Sequence, residues 1–165
     1  DFGFDMVWLG LDNWGSVRVN ALLSYLMEFK QKDPFDGSVE LDFAGSASYF
    51  GSGLGTSYPE WKATINAAWM VGDFTFNARG RYIGAMDNRL AIEFPGEQFT
   101  SPDSTWYWDI AGDWAMTDNV SFKLGVNNVA DQDPQVYNPN VQSGTDPSVY
   151  DVVGRRVFGQ VKLRF

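Results

Sequence analysis

The stretch WKATINAAWMVGDFTFNARGRY, residues 61–82, carries two side-chain sets that alternate one by one. Trp61, Ala63, Ile65, Ala67 and Trp69 form one set, and Lys62, Thr64, Asn66, Ala68 and Met70 the other. After Gly72 and Asp73 the pattern resumes, with Phe74, Phe76, Ala78, Gly80 and Tyr82 opposed by Thr75, Asn77, Arg79, Arg81 and Ile83. A period of two is the signature of a strand, because successive side chains leave opposite faces. The Gly-Asp pair supplies the geometry of a tight turn. The stretch therefore predicts an antiparallel hairpin with one apolar face and one polar face.

The same grammar extends in both directions. Val120, Phe122, Leu124 and Val126 oppose Ser121, Lys123, Gly125 and Asn127, while Trp106, Trp108, Ile110, Gly112, Trp114 and Met116 oppose Tyr107, Asp109, Ala111, Asp113 and Ala115. The last run sets Val157, Gly159, Val161, Leu163 and Phe165 against Arg156, Gln160, Lys162 and Arg164. Ser16 to Lys30 follows less cleanly, with Leu22 and Leu26 on the polar side, and the first segment has large apolar residues on both faces. Seven strand-like segments result, near Phe2–Leu11, Ser16–Lys30, Glu60–Val71, Asp73–Met86, Thr105–Met116, Asn119–Ala130 and Val153–Phe165. The links DNWG, GD and TDN are short, whereas Gln31–Pro59, Asp87–Ser104 and Asp131–Val152 are long and rich in Gly, Ser, Pro and Asp. Short and long links alternate, which predicts an all-β, antiparallel, up-and-down sheet with tight turns at one end and loops at the other. No capped segment of helical period separates the strands, which argues against a βαβ arrangement.

Composition limits what such a sheet can do. The net charge of −9 argues against nucleic acid as a partner, because no basic stretch offsets phosphate repulsion. His and Cys are both absent, which removes the commonest general base and the usual transition-metal ligands within these residues. No cofactor or metal motif is found, and no catalytic residues are predicted. No apolar run approaches the ~20 residues of a membrane helix. The chain opens inside an apolar stretch with no Met and no signal-peptide core, the expectation being that a leader was removed or that this is a piece of something longer.

Two environments produce alternating strands. A soluble β-sandwich, for instance a carbohydrate-binding module, packs its apolar face inward, and a transmembrane barrel turns that face to lipid around a wet lumen. Segment length favours the barrel, since these segments exceed the usual ~5–6 residues and match the ~9–11 of a tilted membrane strand. So do the aromatics at the ends of the apolar faces, Trp61 with Trp69, Trp106 with Trp114 and Phe74 with Tyr82, where interfacial girdles lie.

The runs YPEWKATINAAWMVGDFTFNARGRYIGAM (58–86), TWYWDIAGDWAMTDNVSFKLGVNNVADQDPQV (105–136) and DPSVYDVVGRRVFGQVKLRF (146–165) resemble the C-terminal end of TonB-dependent outer-membrane receptors. The family's LGVNNLFDKDPP-like stretch reads LGVNNVADQDPQ here, departing at Val129, Ala130 and Gln135 and keeping Asn127, Asn128, Asp131, Asp133 and Pro134. The resemblance implies the last seven strands of a barrel of ~22, with the N-terminal plug domain and its energy-coupling segment outside residues 1–165. It also implies localisation in the bacterial outer membrane and active import of a scarce nutrient, such as a ferric siderophore, a similar chelate or an oligosaccharide. Partners follow from it: membrane lipid and lipopolysaccharide, the TonB complex through the N-terminal part, and the small nutrient ligand itself. Val161, Leu163 and Phe165 resemble the terminal signal read by the barrel-assembly machinery, a sheet edge taken up by strand addition.

Candidate site residues lie on the polar face. Lys62, Arg79, Arg81, Tyr107 and Asp109 are expected along a substrate path, with Tyr137 from a loop. The competing reading is structural, with Lys62, Arg79, Arg81, Lys123, Arg156, Lys162 and Arg164 paired to Asp109, Asp113 and further carboxylates. Asp131 and Asp133 have oxygens suited to Ca²⁺, but two carboxylates in a Pro-containing turn more commonly cap backbone amides. Tyr49, Phe50, Tyr58, Phe94, Phe99 and Tyr137 either stack on a ligand or pack the loops together.

Overall fold

In the computed structural model, which describes residues 1–8, 14–32, 37, 40–47, 57–96, 99–139 and 144–165, the chain is almost wholly strand and loop. In order it runs through β1 (Phe2–Trp8), β2 (Ser16–Tyr25), β3 (Lys30–Lys32), β4 (Glu40–Asp42), β5 (Ser46–Ala47) and β6 (Ser57–Tyr58). There follow β7 (Trp61–Val71), β8 (Phe74–Ile83), β9 (Asp87–Asn88), a short helix α1 (Arg89–Glu93), β10 (Thr105–Thr117), β11 (Val120–Asn127) and β12 (Arg156–Leu163). Seven strands form one antiparallel sheet in the order β1-β2-β7-β8-β10-β11-β12, each beside its long-strand neighbours in sequence. The sheet is open, with β1 and β12 at its two edges.

The β7–β8 hairpin pairs from Lys62 with Ile83 down to Val71 with Phe74. Its two-residue turn places Gly72 at φ 54°, a left-handed conformation suited to Gly at the first central position of such a hairpin. At the next short link, Thr117 Oγ1 accepts from the backbone amide of Val120 at 3.0 Å. Strand β10 runs one residue beyond its sequence segment, whereas Ser16–Lys30 divides: β2 ends at Tyr25, and Lys30 belongs to a small hairpin with β4.

Directly paired residues share a face, so register resolves what periodicity left open. Phe2, Phe4 and Met6 pair with Leu23, Ala21 and Val19, which puts them with the apolar set, and Asp5 joins the polar set opposite Asn20. Phe158 falls on the polar face, in step with Arg156 and Gln160, and Gly125 opposite leaves it room. A Cβ at Gly125 would stand 2.4 Å from Phe158 Cζ and 2.9 Å from the Ile110 carbonyl oxygen. Gly125→Ala is therefore expected to destabilise by about 1–3 kcal/mol, the usual range for overpacking. Gly112→Ala, whose Cβ would meet Phe76 at an ordinary 3.8 Å, should change the urea midpoint little.

The apolar face is bare. Leu124 is 65% exposed, and Ile110, Phe74, Phe76, Val157, Val161 and Leu163 are exposed beside it. Among the described residues no second sheet covers them, whereas a soluble sandwich packs such a face against one. Aromatic rings gather in two rows on this face. Trp69, Phe76, Phe74, Trp114 and Phe122 touch in sequence at centroid distances of 5.4 to 6.3 Å near the short turns. Tyr25 stacks on Trp61 at 4.3 Å, and Tyr82, Trp106 and Trp108 form a second group, both near the loops. Eight residues separate Trp61 from Trp69 and Trp106 from Trp114, about 26 Å along a strand. Tilted as barrel strands are, that separation approaches the ~25 Å apolar band of an outer-membrane barrel.

Candidate functional site

The long links do not trail away from the sheet; the described parts knit together at its loop end. Strand β5 pairs antiparallel with β6 and parallel with β9, which ties the first long link to the second. Asn88, fully buried, is the hub. Its Nδ2 donates to the Thr100 and Tyr137 carbonyls, both at 2.8 Å, and its Oδ1 accepts from Leu90 N at 3.0 Å, capping α1. Helix α1 escaped the sequence reading because five residues give no helical period. Tyr137 comes from the third link, and its hydroxyl shares a 2.7 Å hydrogen bond with Ser57 Oγ.

Beneath this hub lies the core of the molecule. Tyr107, Tyr137, Tyr150, Ile83, Met86 and Ala47 are buried together, with Tyr137 and Tyr150 rings 6.4 Å apart. Burial raises the Tyr137 phenol above its ordinary value; burial, then the neighbouring Tyr137 and Tyr107, raise Tyr150 further. A phenol whose folded pKa is raised contributes stability fully present below the unfolded value of ~10 and lost as pH rises through the folded value. The loop cluster is thus expected to loosen above pH ~10, by up to about 1.4 kcal/mol per pH unit for each ionising phenol. Tyrosinate absorbance followed beside hydrogen exchange of the links should show the two rising together.

An ion network runs from the sheet into the third link. Arg81 on β8 reaches Asp109 on β10 at 3.3 Å and Asp151 at 3.7 Å, and Arg156 on β12 reaches the same Asp151 oxygen at 3.1 Å. The Arg81 guanidinium also stands 5.2 Å from the centre of the Tyr107 ring. Asp109 Oδ1 accepts from Asn128 N at 2.8 Å. Asn128, at φ 49°, closes its own turn by bonding both the amide and the carbonyl of Gln132. The YDVVGRR run is used throughout: Tyr150 in the core, Asp151 between two arginines, and Arg155 on Asp131, whose carboxylate also accepts from Arg155 N.

The sequence candidates therefore separate into groups. Arg81, Tyr107 and Asp109 are brought together, and Tyr137 lies in the same buried cluster. Lys62, opposite Ser24 and Ile83, and Arg79, opposite Asn66 and Asp109, are exposed on the polar face. Neither makes a side-chain ion pair among the described residues. Lys123 pairs with Asp113 at 3.3 Å. Val161, Leu163 and Phe165 are exposed along the β12 edge. Among the loop aromatics, Tyr58 packs on Phe29 at 4.5 Å, Phe99 is half-buried, Phe94 is exposed, and Tyr49 and Phe50 lie outside the described residues. Sequence reasoning missed Asn88, and it did not link Asp151 to the arginines.

Toward the middle of the polar face is a cavity of about 410 Å³, with Arg18, Asn20, Asn66, Asn77 and Arg79 among its lining. A polar row crosses it, since register aligns Asp5, Asn20, Asn66, Arg79 and Asp109 over five neighbouring strands.

An open sheet with a bare aromatic face, a polar opposite face and a loop cluster at one end is the wall of a larger barrel. The ferric enterobactin receptor of Pseudomonas aeruginosa, in a G324V mutant, superimposes with a TM-score of 0.63 at 15% identity, over 99% of this chain. The copper transporter OprC does so with a TM-score of 0.52 at 16% identity, over 96%. The chain spans 22% of the length of each. Its fold is that of the C-terminal barrel portion of TonB-dependent receptors. No protein-family model matches the chain, and no curated protein matches it by sequence.

Proposed function

We infer that this chain is the C-terminal wall section of an outer-membrane transport receptor, seven strands of a larger plugged barrel. The observation that carries the reading is the pairing of a bare, aromatic-banded face with a polar face roofed by knitted loops. Such a face is stable against lipid and unfavourable against water. The two unpaired edges support it, because open N–H and C=O rows in hydrocarbon cost several kcal/mol per group and require further strands. On this reading lipid and lipopolysaccharide surround the outer face, and the assembly machinery takes the β12 edge bearing Val161, Leu163 and Phe165. The loops and inner face, with Lys62, Arg79, Arg81, Tyr107, Asp109 and Tyr137, meet a nutrient that TonB-coupled energy moves inward; no catalytic step is involved. An anionic ferric chelate suits the unpaired Lys62 and Arg79 better than free copper, whose preferred Cys and His ligands these residues lack. Uptake of labelled ferric chelate by cells expressing the intact protein tests this. The reading requires uptake that a protonophore abolishes, and equal accumulation in cells lacking the protein would overturn it.

A further inference from the structure

Strands β2, β7 and β8 place six polar-face residues in a rectangle: Arg18 and Asn20, then Ala68 and Asn66, then Asn77 and Arg79. The arginines stand at opposite corners and the small Ala68 leaves a hollow between them. From two strand spacings and two residue steps their Cα atoms lie about 12 Å apart, a span two extended arginine side chains cover between them. Both line the same cavity. Among the described residues neither guanidinium has an ion pair or hydrogen bond.

No carboxylate among the described residues makes an ion pair with either guanidinium. Asp109, directly opposite Arg79 and lining the same cavity, gives its Oδ1 to Arg81 and Asn128 N and makes no ion pair with Arg79. Asp113 holds Asn77 Nδ2 at 2.9 Å and Lys123 at 3.3 Å. Asp5, diagonal to Arg18 across β1 and β2, makes no ion pair with it. The amides are ordered by their own bonds: Asn66 Nδ2 donates to Asn20 Oδ1 at 2.8 Å, which leaves Asn20 Nδ2 as a free donor at the rim.

We propose that this hollow is a carboxylate-binding site, in which Arg18 and Arg79 grip the oxygens from two sides and the Asn20 amide adds a donor. Guanidinium forks match carboxylate geometry and lose little preorganisation on binding. The carboxylate comes either from a small acid entering the lumen or from an acidic side chain of another part of the same protein. The proposal rests on the polar face lining an aqueous lumen, not on transport, and its test needs no uptake.

The test is titration of the intact protein in detergent, at low salt, with citrate as a tricarboxylate probe, beside thermal melting. Citrate binding that falls at least tenfold in an Arg18→Ala/Arg79→Ala double variant, stays within twofold in Lys162→Ala and weakens with salt supports a free acid as occupant. If the wild type ignores citrate, a lower melting temperature in the double variant that Arg18→Lys/Arg79→Lys restores supports an internal carboxylate. Equal citrate binding by wild type and double variant overturns the site. So does an absence of citrate binding together with an unchanged melting temperature, or a fall that lysine does not restore.

Discussion

Asn88→Ala is expected to open the loop cluster while leaving the sheet intact. The substitution strands the Thr100 carbonyl and the Leu90 amide, and it leaves the Tyr137 carbonyl only its 3.4 Å bond from Thr100 N. A buried group left without a partner costs about 1–3 kcal/mol, and two of them, partly relieved by entering water, should cost about 2–4 kcal/mol. Local opening of that size raises hydrogen exchange in the links by more than tenfold, since 1.4 kcal/mol is tenfold. Amides of β7 and β8 should exchange as before. Equal acceleration in the sheet would mean that the cluster and the wall are one cooperative unit, against the separation drawn here.

The second large effect lies on the opposite side of the molecule. Leu124 projects from the bare face in the row between the Trp114–Phe122 contact and the Trp108 end of the band, opposite Gly112. Leu124→Arg is expected to destabilise the lipid-folded protein by about 2–4 kcal/mol, the range for an Arg facing hydrocarbon near the midplane. Its neighbour Lys123, on the polar face and partly exposed in a pair with Asp113, should tolerate Ala at a cost of about 0–1 kcal/mol. Folding titrations in lipid vesicles that reversed this order would exchange the two faces.

Much of this architecture is legible in residues 61–82 and their repeats, because a two-sided environment writes itself into a period of two. The pattern fails where both sides carry apolar bulk. Phe2, Phe4 and Met6 acquire a face only through register with β2, and Phe158 breaks the polar set because Gly125 on the next strand makes room. The site is less legible for a similar reason. Arg79 and Arg81 look alike from sequence, one turn of the alternation apart on the same face, yet only Arg81 meets Asp151, which arrives from the third link. Asn88 resembles any turn residue until β5 pairs beside it and Thr100, Tyr137 and Leu90 meet its side chain, and no local pattern encodes that convergence.

The central claim is that the apolar face meets lipid and the polar face meets water. These residues contain no Cys, so a single Cys introduced at successive positions of β11 reports one position at a time. In the membrane-inserted protein, probes at 122, 124 and 126 should be quenched from the acyl phase, and probes at 121, 123 and 127 from the aqueous phase, in strict alternation. Uniform aqueous access along the strand, or alternation in the opposite phase, would contradict the account.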